Sequence, residues 1–195
     1  NWISVKMTSR ALPLFLLALA PVLKGQGEVQ LPAPSNAIVD AARAQIGVTV
    51  AYDPAYVYEA IVIMLDGLER MYAKGEDWIY YITVYNENYE MPSMPDGCEE
   101  GILKGMYRLR DVRSEESSAG LPPVHLMGSG AILREVLRAS ELLAEHWGVS
   151  STVWSVTSWK ELRRDAQACR RWNMLHPEDA PRTSYFEDLI SDFLN

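Results

Sequence analysis

Cysteine and histidine are scarce in this chain, which carries Cys98 and Cys169 and the three histidines His125, His146 and His176 in 195 residues. Neither cysteine has a histidine nearby at metal-ligand spacing, so a zinc site built from close ligand clusters is excluded. A reducing compartment fits this cysteine usage. The histidines stand apart from one another, and a surface or hydrogen-bonded structural role suits each. Basic charge is also in deficit, because 18 Lys and Arg against 26 Asp and Glu give a formal net charge of -8. That balance favours solubility and argues against a broad nucleic-acid or anionic-membrane footprint. The cluster Trp159, Lys160, Arg163, Arg164, Arg170, Arg171 and Trp172 is interrupted by acids and reads as an amphipathic helix.

The apolar run Ala11 to Leu23, ALPLFLLALAPVL, is too short, and too broken by Pro13 and Pro21, to span a bilayer as a helix. With Lys6 and Arg10 before it and Gly25-Gln26-Gly27 after it, it is similar to a secretory signal. The chain begins with Asn1, and Met7 lies inside it. Residues 1–46 are therefore expected to be foreign to the fold, either mistranslated or divergent, and poorly ordered.

A hydrophobic fraction of 48% allows a substantial core in one domain or two small ones. Asp53-Pro54 is a helix-start signal, with a side chain able to accept from free amides and a proline suited to the first helical position. The helix is predicted to run to about Lys74 and stop at Gly75, with Val57, Ala60, Ile61, Met64, Leu68 and Met71 along one apolar stripe. Trp78 to Val84 is aromatic and β-branched, as befits a strand covered on both faces. It leads into Asn86, Glu87 and Asn88, then Pro92 and Pro95. Ligands of parallel α/β sheets sit outside the carboxyl ends of strands, which makes Asn86, Glu87 and Asn88 candidates for a substrate mouth. The same three residues equally suit a turn that packs against another domain.

Glu99 to Arg110 is predicted as a short helix interrupted by Gly101 and Gly105. Asp111 to Pro123, DVRSEESSAGLPP, reads as a linker and marks a domain boundary. Beyond it the pattern gives a strand at His125 to Met127, a tight turn at Gly128-Ser129-Gly130 and a helix at Ala131 to Trp147 ended by Gly148. A second strand at Thr152 to Val156 completes a parallel pair, and Thr157 or Ser158 caps the helix carrying Leu162 to Trp172.

Four segments in order, YDPAYVYEAIVIMLDGLERMY from Tyr52, YYITVYNENYEMPSMPDGCEEGILKGMYRL from Tyr80, LMGSGAILREVLRASELLAEHWGV from Leu126 and WSVTSWKELRRDAQACRRWNMLHPEDAPR from Trp154, carry a resemblance. The chain resembles the homodimeric type of bacterial pyruvate dehydrogenase, the thiamine-diphosphate-dependent decarboxylating component of its complex. The resemblance implies an α/β fragment of transketolase-like architecture. Residues 47–112 would be the end of the pyrimidine-binding domain, 113–121 the linker and 122–195 an incomplete C-terminal α/β domain.

The resemblance further implies oxidative decarboxylation of pyruvate, with transfer of the acetyl group to a lipoyl group of the acyltransferase component. Thiamine diphosphate and magnesium would be the cofactors, the partners a second copy in a homodimer and that acyltransferase, and the location a bacterial cytoplasm. The family's diphosphate motif and its glutamate for the aminopyrimidine belong to regions with no counterpart here. Its histidine-rich segment before the YDPAY-like helix start corresponds to Ser35 to Val50, which holds no histidine. No catalytic, cofactor or metal residue carries over, and the isolated chain is expected to be inactive. Other roles consistent with the sequence are a non-catalytic interaction fragment and a secreted protein that has captured an enzyme segment.

Overall fold

The computed structural model describes residues 3–8, 48–114 and 123–191. Two three-stranded sheets follow one plan. In the first, β1 (Ile3–Thr8), β2 (Val48–Tyr52) and β3 (Trp78–Val84) lie in the order β1-β3-β2. The central β3 is antiparallel to β1 and parallel to β2. In the second, β4 (Tyr107–Val112), β5 (Val124–Gly128) and β6 (Ser151–Ser155) lie in the order β4-β6-β5, with β6 antiparallel to β4 and parallel to β5. The helices among the described residues are α1 (Val57–Leu68), α2 (Glu99–Lys104), α3 (Leu133–Trp147), α4 (Trp159–Leu175) and α5 (Tyr185–Ser191). Parallel neighbours need a crossover, and α1 and α3 supply it in the first and second sheet respectively.

The second unit follows its sequence pattern closely. The predicted strands appear as β5 and β6, and Gly148, at φ 65°, closes α3 in the left-handed conformation. Ser158 rather than Thr157 caps α4, its Oγ accepting from the Glu161 amide at 3.1 Å. Thr157 Oγ1 instead donates to the Ile102 carbonyl at 2.6 Å.

Four expectations need correction. Ile3–Thr8, from the stretch set apart as foreign, forms β1 and pairs with β3 from Ile3 opposite Val84 to Thr8 opposite Ile79. The signal-like run Ala11 to Leu23 lies outside the described residues. Helix α1 starts at Val57 with Tyr56 as its capping residue, because the Asp53 carboxylate is taken by the Tyr85 hydroxyl at 2.6 Å and by that of Thr83. The helix predicted over Glu99 to Arg110 ends at Lys104, where Gly105 turns at φ 107° and releases the chain into β4. Since β4 pairs with β6, residues 107–112 belong to the second sheet, and the boundary drawn after 112 from composition falls inside that unit.

The structure also fixes which face of α1 turns inward. Its apolar stripe is present, yet Val57, Ile61, Met64 and Leu68 are exposed, while the buried positions are Glu59, Ile63 and Gly67, followed by Met71. Gly67 allows the Tyr80 ring to lie 3.4 Å from where a Cβ would be, so β3 packs on the narrow side of the helix. After Leu68 the helix continues as a π-helical turn, Glu69–Ala73.

Candidate functional site

The carboxyl ends of the parallel strands in both sheets meet at one junction. The Asp53 amide, just after β2, donates to the Thr157 carbonyl at 2.7 Å, and the Gly130 amide, just after β5, donates to the Asp53 carbonyl at 3.1 Å. Ser158 ties the same loops, its Oγ donating to the Ala51 carbonyl at 2.6 Å and its amide to the Gly105 carbonyl at 3.0 Å. Gly130 sits at φ 52° with the Tyr85 ring against it, a close approach that only glycine permits.

At the centre lies Glu59, fully buried. Its Oε2 accepts from the amides of Ala55 at 2.5 Å and Tyr56 at 3.1 Å. Its Oε1 accepts from the Tyr107 hydroxyl at 2.7 Å and the Ser155 hydroxyl at 2.6 Å. A carboxylate offers about four acceptor sites, and here four donors from both units fill them. Tyr107 uses its only hydroxyl hydrogen on Glu59, so Tyr58 is the donor in the 2.6 Å contact between the two phenols. Burial pushes the Tyr107 phenol far up, and the Glu59 carboxylate adds to the effect. Burial does the same to Tyr58.

Glu87 Oε2 accepts from Arg134 Nη2 of α3 at 2.6 Å, an ion pair across the junction. Asn86 and Asn88 are exposed on either side of it. The Arg134 guanidinium also stacks 4.7 Å from the centre of the Tyr89 ring, whose hydroxyl donates to the Ala55 carbonyl. A cleft of about 510 Å³ opens beside this cluster, lined among others by Tyr56, Tyr89, Pro92, Arg110, Arg134 and Glu141. Of the candidate mouth residues, the geometry brings Glu87 into contact with the second unit and leaves Asn86 and Asn88 facing solvent.

Sequence patterning missed Glu59, Tyr107 and Ser155. The signal for Glu59 was its phase, since it stands four residues before Ile63 and eight before Gly67, on the face that packs inward. Tyr107 and Ser155 are placed by the pairing of β4 with β6, Tyr107 opposite Ser155, which no local pattern encodes.

The chemistry of this centre is cohesive. Its acceptors are saturated, its phenols are held protonated, and the Cys98 thiol is pushed up by burial away from thiolate character. A thiamine cofactor needs a free carboxylate for its aminopyrimidine and oxygen ligands for a metal ion. Glu59 has no acceptor site to spare, and no group of three or more His, Cys, Asp or Glu among the described residues could hold a metal ion. The described residues do not fit thiamine diphosphate or magnesium.

The family model of the pyruvate dehydrogenase E1 component middle domain matches residues 2–92, and that of the transketolase-like C-terminal domain matches residues 105–193. The two α/β units are thus successive domains of transketolase-like architecture. The first match includes the amino-terminal stretch that composition had set apart. The chain is 56% identical over 144 residues to the pyruvate dehydrogenase E1 component of Escherichia coli (strain K12), covering 73% of this chain and 16% of that protein. It is 44% identical over 184 residues to that of Cupriavidus necator, covering 94% of this chain and 20% of the relative. Against that of Pseudomonas aeruginosa the identity is 50% over 139 residues, 71% of this chain and 15% of the relative. The chain resembles a fragment of the pyruvate dehydrogenase E1 component. It spans a fifth or less of the length of these curated relatives, from 15% to 20%.

Proposed function

We propose that this chain forms the junction between the middle and C-terminal domains of a pyruvate dehydrogenase E1 component. The reaction of that component is the oxidative decarboxylation of pyruvate, with transfer of the acetyl group to a lipoyl group of the acyltransferase component. One observation carries the proposal: the two family matches follow each other along the chain, and Glu59 in the first accepts hydrogen bonds from Tyr107 and Ser155 in the second. The family is thiamine-diphosphate dependent, with magnesium as the accompanying ion in this proposal. The cofactor supplies the electron sink of such reactions, and the protein positions it. The residues described here hold two domains in register, and the isolated chain is inactive. Asn86, Glu87 and Asn88 lie at the edge of the substrate mouth, beside the cleft under Tyr89. The connection between the domains runs through residues 93–104.

The partners in this proposal are a second copy of the chain and the lipoyl acyltransferase, with no nucleic acid or membrane, in a bacterial cytoplasm. No helix among the described residues is long and apolar enough to cross a membrane. The exposed apolar face of α1 supports one other role, a non-catalytic interaction fragment.

A chimaera decides the matter. Residues 48–191 replace the matching segment of the Escherichia coli relative, and pyruvate- and thiamine-diphosphate-dependent reduction of an artificial electron acceptor is measured. Turnover within about tenfold of the parent is expected, and none from the isolated chain. A folded but inactive chimaera, or turnover by the chain alone, overturns the proposal.

A further inference from the structure

The cleft of about 510 Å³ beside Tyr89 has a lining of two kinds. One part is apolar: Tyr56, Leu109 and Leu137 belong to the packed cluster around Leu133, and Pro92 and Pro95 extend it from the loop after β3. The other part is charged, with Arg110 from β4 and Arg134, Arg138 and Glu141 from α3, and with Glu90 as a second acid. Three guanidiniums against two carboxylates make this lining cationic, in a chain whose formal net charge is -8.

The arginines are unevenly matched. Arg134 has a full partner in Glu87 at 2.6 Å. Arg110 and Arg138 share one carboxylate, that of Glu141, at 3.5 Å and 3.4 Å. Charge-assisted hydrogen bonds run at about 2.7–2.9 Å, so neither guanidinium reaches one. Arg134 and Arg138 also stand one turn apart on α3, where like charges repel. Such an arrangement adds little to the fold, and it favours an oxyanion that arrives at Arg110 and Arg138. Glu141 marks the place, because one of its oxygens already approaches each guanidinium.

We propose that this cleft binds a small organic carboxylate with a flat apolar body, its carboxylate taken by Arg110 and Arg138 in place of Glu141 and its body laid against Tyr56, Leu109 and Leu137. The volume lies within the roughly 300–1,000 Å³ of small-molecule sites. A bare carboxylate would gain little from exposed arginines, which water screens, and the apolar lining supplies the remainder. Binding of this kind goes beyond the E1 reading, since it requires neither cofactor nor turnover, and pyruvate lacks the apolar body.

Isothermal titration of the full chain with naphthalene-2-carboxylate, its neutral amide and pyruvate tests this. The naphthoate is expected to bind with a dissociation constant of about 1 mM or tighter, and the amide and pyruvate at least about tenfold more weakly. Arg110→Gln with Arg138→Gln should weaken naphthoate binding at least about tenfold. Arg163→Gln, at an exposed position of α4, is the control and should leave it unchanged. Circular dichroism shows that each variant is folded.

Glu141→Gln tests the sign of the effect. Removal of the resident carboxylate frees both guanidiniums, and the naphthoate is expected to bind at least about threefold more tightly. A gain in affinity cannot come from a misfolded chain. Equal binding of the amide, equal or tighter binding of pyruvate, or unchanged or weaker binding in Glu141→Gln overturns the proposal. So does an absence of binding at about ten times the expected dissociation constant. All of these are read without thiamine diphosphate or turnover, so they stand or fall separately from the chimaera.

Discussion

The Ser155 hydroxyl, at the end of β6, donates a 2.6 Å hydrogen bond to Glu59 Oε1 in the first turn of α1, and so closes a contact between residues 96 apart in sequence. Tyr107 Oη shares that oxygen from β4. A single buried carboxylate therefore joins α1 to two strands of the other sheet.

Glu59→Gln keeps the shape of the side chain but turns one acceptor group into a donor that faces other donors. Loss of charge-assisted bonds at a buried site is expected to cost roughly 2–4 kcal/mol. Urea unfolding followed by tryptophan fluorescence measures it, and separation of one transition into two would show that the carboxylate couples the two units. An unchanged midpoint would mean the bonds add nothing net.

Gly130→Ala places a Cβ 2.6 Å from Tyr85 Cε2 and holds it at φ 52°. Both penalties act together, and a loss of roughly 2–4 kcal/mol is expected. Thermal melts of Gly130→Ala and of Gly130→Ala with Tyr85→Ala distinguish them, because removing the ring relieves the clash and leaves the backbone strain.

Alkaline pH acts through the buried phenols. Burial is the largest cause raising Tyr107, Tyr58, Tyr80, Tyr85 and Tyr52. In the unfolded chain these groups titrate near about 10. The folded state holds their protons more tightly, so its stability is full below about pH 10 and falls as pH rises beyond that. Urea midpoints measured from about pH 8 to 11 should stay level and then decline, and Tyr107→Phe should make the decline shallower. An equally steep decline in the variant would remove Tyr107 from the cause.

Glu87→Gln breaks an ion pair whose partners are both partly exposed, and its effect on stability is expected to stay below about 1 kcal/mol. In the chimaera, Asn86→Ala with Asn88→Ala should leave stability unchanged and lower kcat/KM at least about tenfold if these residues edge the substrate mouth. Unaltered kinetics would reduce the cluster to a turn.

Much of the second unit was legible because its signals are local. Gly148 ends a helix, Ser158 starts one, and β5 and β6 are short strands, one before the first helix and one between the two. The first unit was legible in its elements and not in its orientation. The period of Val57, Ile61, Met64 and Leu68 is helical, yet periodicity gives a stripe without saying what it faces. Glu59 was passed over because an acid in a helix is normally solvated, and only the converging donors from Tyr107 and Ser155 make its burial favourable. The strand after Gly105 stayed hidden because Tyr107–Val112 owes its form to pairing with β6, a contact fixed by the fold.

The placement of β4 has a further consequence. This strand precedes the polar stretch after Val112, yet it forms an edge of the second sheet beside β6. Severing the backbone between Val112 and Val124 would leave that sheet shared by two polypeptides, one contributing β4 and the other β5 and β6. The two halves would remain a non-covalent complex, able to reassemble by strand complementation when mixed.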